Sequence, residues 1–250
     1  MWLARQLDAL CDATLALVYP VRCAACGAAC VEARGDAPAC QACWRATTIF
    51  TGEEICCWKC GAQADAGATA PPENRSDVRC RRCDAAEFTA ARAVGKYEGA
   101  LRASILTLKR EPDVSARLGR LLFDAARRPP IDAATRIVPV PLHAERERER
   151  GFNQATLLAR ALAMRSRLPL DEWSVVRTLH TPLHRAGMDA RARRETVESA
   201  FRVERPRLVE GERILIIDDV FTTGATVSAC ARVLKDAGAK DVFVLTVARA

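Results

Sequence analysis

The thirteen residues Ile214–Thr226, ILIIDDVFTTGAT, constrain the fold more than any other stretch of this 250-residue chain. Ile214 to Ile217 form a short apolar, mostly β-branched run, as expected of a strand buried on both faces. Two carboxylates, Asp218 and Asp219, follow at once. Thr222, Thr223, Gly224 and Thr226 then make a small-residue turn, and Val227 to Ala237 reads as a helix that stops at Gly238. Strand, turn and helix in that order belong to an open α/β sheet. Such sheets bind ligands at the carboxyl ends of their strands, where these polar residues stand.

The chemistry of that turn follows from its backbone. A turn opening a helix leaves N–H groups unpaired, and the helix dipole adds positive potential, so the position suits a phosphate. Gly224 permits close backbone approach. Thr222, Thr223 and Thr226 add hydroxyl donors, and ionised Asp218 and Asp219 can accept hydrogen bonds from the vicinal hydroxyls of a sugar. Paired acceptors beside a phosphate cradle fit a ribose 5-phosphate. A Walker A loop is excluded, because no Gly-Lys-Ser/Thr follows the glycine.

Strand and helix patterns recur through the second half of the chain. Ala91–Tyr97 reads as a strand, Ala100–Lys109 as a helix, Arg117–Arg127 as a second helix ended by Pro129 and Pro130, and Arg136–Pro141 as a buried strand. Val175 and Val176 mark another strand, and Val242 to Val247 the last. This alternation predicts a mainly parallel sheet with flanking helices. Lys109 closes the first helix, where the dipole favours a cation and where a lysine could also meet a pyrophosphate. From Leu142 to Ala163, alternating Glu and Arg lead into Gly151, Phe152, Asn153 and Gln154 and then an amphipathic helix. We read the segment before that helix as a flexible basic loop able to close over a polyphosphate.

The first half is dominated by cysteine. Eight of the 12 cysteines fall in four CxxC pairs: Cys23/Cys26, Cys40/Cys43, Cys57/Cys60 and Cys80/Cys83. Two residues between thiolates let a tight turn direct both sulfurs at one metal, and two such turns complete a tetrahedron. The first and third pairs are followed by glycine, so the pattern resembles one unit used twice. On that reading Cys23, Cys26, Cys40 and Cys43 hold one structural zinc and Cys57, Cys60, Cys80 and Cys83 a second; an interleaved pairing is the alternative. Cys11, Cys30, Cys56 and Cys230 stand outside the scheme as small buried hydrophobes, with Cys56 a possible substitute for Cys57. The cysteines thin out near Ala90, where we place a boundary between a segment at 1–89 and a domain at 90–250.

Composition excludes some classes. No apolar run approaches the ~20 residues of a membrane helix. Met1–Pro20 is apolar at helical spacing but is interrupted by Arg5, Asp8 and Asp12, which marks an amphipathic helix rather than a secretory signal. A cytoplasmic location is therefore expected. The net charge of +7 is uneven, with −2 over residues 1–90 and +9 over 91–250. The basic half carries the phosphate loop, as an anionic ligand requires; it is also compatible with nucleic acid. His143, His180 and His184 have no metal-ligand spacing.

Two resemblances carry the reading further. Ile214–Thr226 resembles the 5-phosphoribosyl-1-pyrophosphate (PRPP) loop of type I phosphoribosyltransferases. The resemblance implies that Asp218 and Asp219 contact the ribose and that Val220, Phe221, Thr222, Thr223, Gly224, Ala225 and Thr226 wrap its phosphate. With VPVPLH at 138–143, RERGFNQA at 148–155 and the cysteine pairs, the whole chain resembles the ComF family, which includes GntX-like proteins. That resemblance implies a zinc finger followed by a type I phosphoribosyltransferase-like domain. It implies PRPP or ribose 5-phosphate as ligand, with Mg²⁺ on the pyrophosphate. Lys109 would be the pyrophosphate-side lysine, grouped with the acidic pair as catalytic, and Arg148, Arg150, Gly151, Asn153 and Gln154 the family's RGFNQ loop. A role in DNA uptake during natural competence is implied, either as a phosphoribosyltransferase or as a non-catalytic module contacting single-stranded DNA or a competence helicase. The chain departs from the family where Lys109 is followed by Arg110, Glu111 and Pro112 instead of glycine. It departs again where His184, Arg185 and Thr196 replace a customary Gln and Asn.

Overall fold

The computed structural model describes residues 21–30, 37–64, 78–179 and 200–250. The expected N-terminal amphipathic helix, most of the Gly/Pro-rich loop after Ala62, and the stretch holding His180, His184 and Thr196 lie outside the described residues.

A four-stranded, all-parallel sheet forms the centre, in the order β3 (Ala90–Lys96), β8 (Asp241–Arg249), β7 (Arg213–Phe221), β4 (Arg136–Pro139). The two central strands, β7 and β8, hold almost unbroken apolar runs, with Ile214–Ile217 and Val242–Leu245 fully or nearly fully buried. Strands that bury both faces need such runs. One face packs on Leu215, Ile217, Phe243 and Leu245, covered by α2 (Gly99–Leu108), α3 (Ala116–Ala126) and α5 (Gln154–Ser166). The other packs on Ile214, Ile216, Val242 and Val244 beneath α6 (Ala225–Asp236) and the two-stranded pair β5 (Val175–Arg177) and β6 (Phe201–Val203). The helices carry their own start signals. Ser115 accepts from the Leu118 N–H at 3.3 Å to open α3, and Asn153 accepts from the Ala155 N–H at 3.0 Å to open α5.

The Cys-rich segment packs directly on this sheet. It contributes β1 (Val21–Arg22), β2 (Ala29–Cys30) and the short helix α1 (Gln41–Ala46). Its chain then runs antiparallel along the outer edge of β3, with Ile49 opposite Gly95, the Phe50 N–H donating to Val94 O at 2.8 Å and the Lys96 N–H to Thr48 O at 3.0 Å. No Cβ fits at Gly95, since one would stand 2.2 Å from Thr48 O. Further down the same edge, the Ala91 N–H donates to Lys59 O at 2.7 Å. Thr47 also caps α2, its Oγ1 accepting from the Ala100 N–H at 2.8 Å.

Two details differ from the pattern read in the sequence. The acidic pair lies within β7 rather than after it. β8 continues alongside and pairs Asp218 with Thr246, Val220 with Ala248 and Phe221 with Arg249. The basic segment after β4 is not an open loop: Ala144–Arg150 is helix α4. His143 Nδ1 accepts from the Glu145 N–H at 3.3 Å at its start, Glu145 and Glu147 stand in its first turn and Arg148 and Arg150 in its last, and Gly151 closes it at φ 82°. Glu145 near the start and Arg150 at the end suit the helix dipole, and the His143 and Gly151 caps close the two ends.

Candidate functional site

Two groups of side chains gather at the carboxyl edge of the sheet and in the segment beside it. The first is the acidic pair and its turn. Asp218 Oδ1 accepts from the N–H of Asp219 at 2.8 Å. Lys109, at the C-terminal end of α2, brings its Nζ to 3.3 Å from Asp219 Oδ2. Residues far apart in the chain thus meet above β7. Burial raises the Asp218 carboxyl, the Asp219 charge raises it further, and together they push it up to about 7. The Asp219 N–H and the charges of Lys109 and Arg177 work in the opposite direction. A carboxyl so perturbed, with a lysine beside its neighbour, marks a candidate functional site.

Beyond Phe221 the chain turns and starts α6. Gly224 sits at φ 78°, in the left-handed region, and a Cβ there would stand 2.6 Å from Phe221 Cζ. Only glycine fits both constraints. Thr222 and Thr223 are exposed, and the Thr223 hydroxyl accepts from the Ala225 N–H at 3.4 Å. The first turn of α6 therefore presents N–H groups to the space above the sheet edge.

The second group is a pair of cysteine clusters. Cys23, Cys26, Cys40 and Cys43 lie with all sulfurs within 4.8 Å of one another, and so do Cys57, Cys60, Cys80 and Cys83. Sequential pairing, rather than interleaving, is therefore the arrangement the fold adopts. Zn–S bonds of about 2.3 Å in a tetrahedron place sulfurs about 3.8 Å apart. The observed separations are 3.8 Å for Cys23–Cys43, 3.9 Å for Cys26–Cys40, 3.5 Å for Cys57–Cys83 and 3.5 Å for Cys60–Cys80. Backbone N–H groups support thiolate charge in both. Cys40 donates to Cys23 Sγ at 3.3 Å and Cys80 to Cys57 Sγ at 3.3 Å. Burial opposes ionisation of Cys23 and Cys57, yet N–H groups (Cys40, Cys26 and Ala25 in one case, Cys60, Cys80 and Lys59 in the other) bring each thiol down to about 6. The donor sets fit a structural zinc each, with four sulfurs and no place for a substrate.

With this geometry in view, likeness to known proteins can be placed. Residues 151–250 match the phosphoribosyl transferase domain family. Over 218 residues the chain is 33% identical to the DNA utilization protein YhgH of Escherichia coli K12, spanning 84% of this chain and 89% of that one. The chain belongs to the ComF family. Competence protein F of Haemophilus influenzae is 33% identical over 142 residues, 55% of this chain and 62% of that one. Competence protein ComFC of Bacillus subtilis is 37% identical over 106 residues, 41% of this chain and 39% of that one. The mainly parallel sheet with its helices is thus a type I phosphoribosyltransferase domain, preceded in this ComF-family chain by Cys-rich segments suited to zinc.

The RGFNQ residues occupy a different environment from that of the acidic pair. Asn153 and Gln154 are buried. Asn153 Nδ2 donates to Val140 O at 2.9 Å, and Arg150 Nη1 donates to Gln154 Oε1 at 2.6 Å. These bonds staple the α4–α5 turn to the end of β4. Among the described residues, Gln154 Nε2 is buried with no hydrogen-bond partner. Cys56 stays out of the second cluster, and Cys230 is a buried thiol whose ionisation is strongly opposed by burial and then by Asp218.

Two residues join the site that sequence reasoning passed over. Arg177, on β5, is close enough to bias Asp218. Arg249 ends β8 and reaches across the sheet edge. Its Nη1 donates to Cys60 O at 2.6 Å, and its guanidinium lies 4.5 Å from the Phe221 ring centroid. Its signal was its position at a strand's carboxyl end, just beyond the apolar run Val242–Val247.

Proposed function

We propose that this protein binds PRPP or a ribose 5-phosphate group at the β7–α6 turn and serves in the handling of incoming DNA during natural competence. In this reading Asp218 and Asp219 hold the ribose hydroxyls, and Val220 to Thr226 supply the phosphate cradle. Lys109, with Mg²⁺ carried by the ligand, faces the pyrophosphate. Residues 90–250 form the ligand-binding half, and residues 1–89 form a zinc-stabilised segment beside it. As a phosphoribosyltransferase the site would work by positioning and electrostatics. Lys109 would meet the negative charge that develops on the leaving pyrophosphate, and the acidic pair would orient the ribose as its anomeric carbon becomes electron-poor. The RGFNQ turn, with Arg148 and Arg150, lies at the end of β4 and would border the pyrophosphate.

One observation carries the reading: the 3.3 Å approach of Lys109 Nζ to Asp219. A cation is thereby poised beside the acidic pair. Competence-protein relatives support the cellular role. Calorimetric titration of PRPP with Mg²⁺ into the wild type and into Asp218→Ala/Asp219→Ala tests it. Binding to the wild type that disappears in the variant is the expected result, and absence of binding to both would end the proposal.

The +9 charge of residues 91–250 favours a second reading, in which the fold contacts single-stranded DNA or a helicase partner without catalysis. It requires DNA affinity that falls steeply with salt. No detectable binding of an oligonucleotide at low salt would eliminate direct contact.

A further inference from the structure

The two cysteine clusters stand on opposite faces of the sheet, and they differ in what they hold. Cys23 and Cys40 belong to the core of Leu215 and Ile217, together with Leu101, Leu122 and Leu158 from α2, α3 and α5. Cys57, Cys60 and Cys83 belong to the other core, with Phe221 at the end of β7 and Val227 and Cys230 on α6. The β7–α6 turn is therefore built on the second cluster's side.

Three contacts tie that cluster's chain to the turn. Arg249 Nη1 donates to Cys60 O at 2.6 Å, its Nη2 lies 3.8 Å from Cys60 Sγ, and its guanidinium covers the Phe221 ring at 4.5 Å. Phe88, a little beyond Cys83, meets Phe221 edge to face at 5.9 Å. The Glu87 N–H donates to Ser228 Oγ at 3.0 Å, in the first turn of α6. Phe221 is the residue on which Gly224 is seated, and the Ala250 N–H donates to Phe221 O at 3.0 Å from beside Arg249. The segments that make these contacts have little regular structure of their own. Among the described residues they hold one bridge, Cys56 to Gln63, and one 3₁₀ turn, Arg81–Cys83. Such segments take their order from the ion that their sulfurs enclose. The first cluster meets the surroundings of the site elsewhere. Thr47 caps α2 at Ala100, and Lys109 lies past the other end of that ten-residue helix, roughly 15 Å away.

From these contacts we infer that occupancy of the second zinc site sets the order of the β7–α6 turn, and that the first site has no such hold. Residues 57–60 and 80–88, ordered around the ion, seat Arg249, Phe221 and Ser228, and the turn keeps its shape while they do. Arg249 is the positioning residue of the link, because it touches both a zinc ligand and Phe221. Coupling between two sites is reciprocal, so a ligand on the turn retains the second zinc by the same factor as the zinc favours the ligand. That reciprocal half rests on the function proposed above; the ordering of the turn does not.

Hydrogen exchange on the full chain, read by mass spectrometry, tests the ordering without any ligand. Cys80→Ser, which removes the second ion, should raise exchange over residues 227–231 by about tenfold or more while residues 242–247 of β8 keep their protection. Cys26→Ser, which removes the first, should leave 227–231 within about twofold of the wild type. Arg249→Gln should raise exchange there with both ions retained, and should add less than about twofold in the Cys80→Ser background, where the link is already cut. Zinc withdrawal from the wild type with a zinc-selective chelator makes the comparison without a substitution. Exchange over 227–231 should rise in step with N-ethylmaleimide labelling of Cys57, Cys60, Cys80 and Cys83, not with that of the first four cysteines. Unchanged exchange over 227–231 when the second ion is lost, an equal rise from Cys26→Ser, additive effects of Arg249→Gln, or a rise that spreads across β8 in both the variant and the chelated wild type would overturn the inference. PRPP with Mg²⁺ then tests the reciprocal half: it should slow labelling of the second four cysteines by about threefold or more and leave the first four unchanged. If calorimetry shows no PRPP binding, the function proposed above fails and the exchange result still decides the ordering. If PRPP binds and labelling of the second four does not slow, the coupling fails and PRPP binding stands.

Discussion

Replacing Asp218 by Asn should make the unliganded protein more stable, and increasingly so as pH rises. Enclosure of its carboxyl and the neighbouring Asp219 charge lift Asp218 from 3.8 to about 7. The folded state therefore holds a proton that the unfolded chain releases. Between those two values stability falls as pH rises, because the folded protein must give up the proton into an unfavourable setting. Above pH 7 the full cost is present. A difference of about 3 pKa units corresponds to on the order of 4 kcal/mol. Asn is nearly isosteric and does not ionise, so Asp218→Asn removes this dependence. Urea unfolding of both proteins at pH 5, 6, 7 and 8 reads the effect. Taking the variant minus wild type at each pH cancels the thiolate–zinc contribution common to both. The difference should grow in the variant's favour by about 2–3 kcal/mol from pH 5 to pH 8. A difference that stays flat, or that favours the wild type more as pH rises, would refute the account of Asp218 as a carboxyl held protonated by its surroundings. The same variant should bind PRPP more weakly, a trade between stability and function that ligand sites often make.

Other perturbations separate the parts of the site. Gly224→Ala places a Cβ against Phe221 in a left-handed backbone and should cost about 2–4 kcal/mol by thermal or urea unfolding; a cost under about 0.5 kcal/mol would contradict the geometry. Lys109→Ala should change stability by less than about 1 kcal/mol, since its ion pair is partly exposed, while PRPP affinity falls by about tenfold or more; equal affinity would remove Lys109 from the site. Cys80→Ser should lower zinc from two ions to one per chain by elemental analysis, and retention of both would show that the second cluster is not the ligand set.

Much of the centre was legible because its physics is local. Ile214–Ile217 and Val242–Val247 are too apolar to be anything but buried strands, and a Gly-bearing turn before a helix has few other shapes. The four cysteine pairs were legible, since CxxC spacing lets two sulfurs converge, but which pairs share a cluster stayed open between sequential and interleaved arrangements until the fold brought them together. What was lost depended on partners distant in sequence. β7 extends through the acidic pair only because β8 runs on beside it. The segment 144–150 becomes a helix between a histidine cap and Gly151, features outweighed in the sequence by its lack of an apolar face. Arg249 gained its hold from Cys60, 189 residues away, and no local pattern announces such a bond. Asn153 and Gln154 resembled loop residues until their burial against β4 appeared.

The strip Thr48–Phe50 along the outer side of β3 has one more consequence. A sheet edge with unpaired N–H and C=O groups is a template for another strand, and proteins guard such edges. Here the guard comes from the Cys-rich segment. A chain started at Ala90, at the compositional boundary, would keep every strand of the sheet but bare the flank of β3 from Ala91 to Lys96. It should assemble edge to edge into aggregates instead of giving a smaller folded domain. The zinc-bearing segment would then act as a built-in chaperone for the sheet, and it leaves the ribosome before the strand it shields.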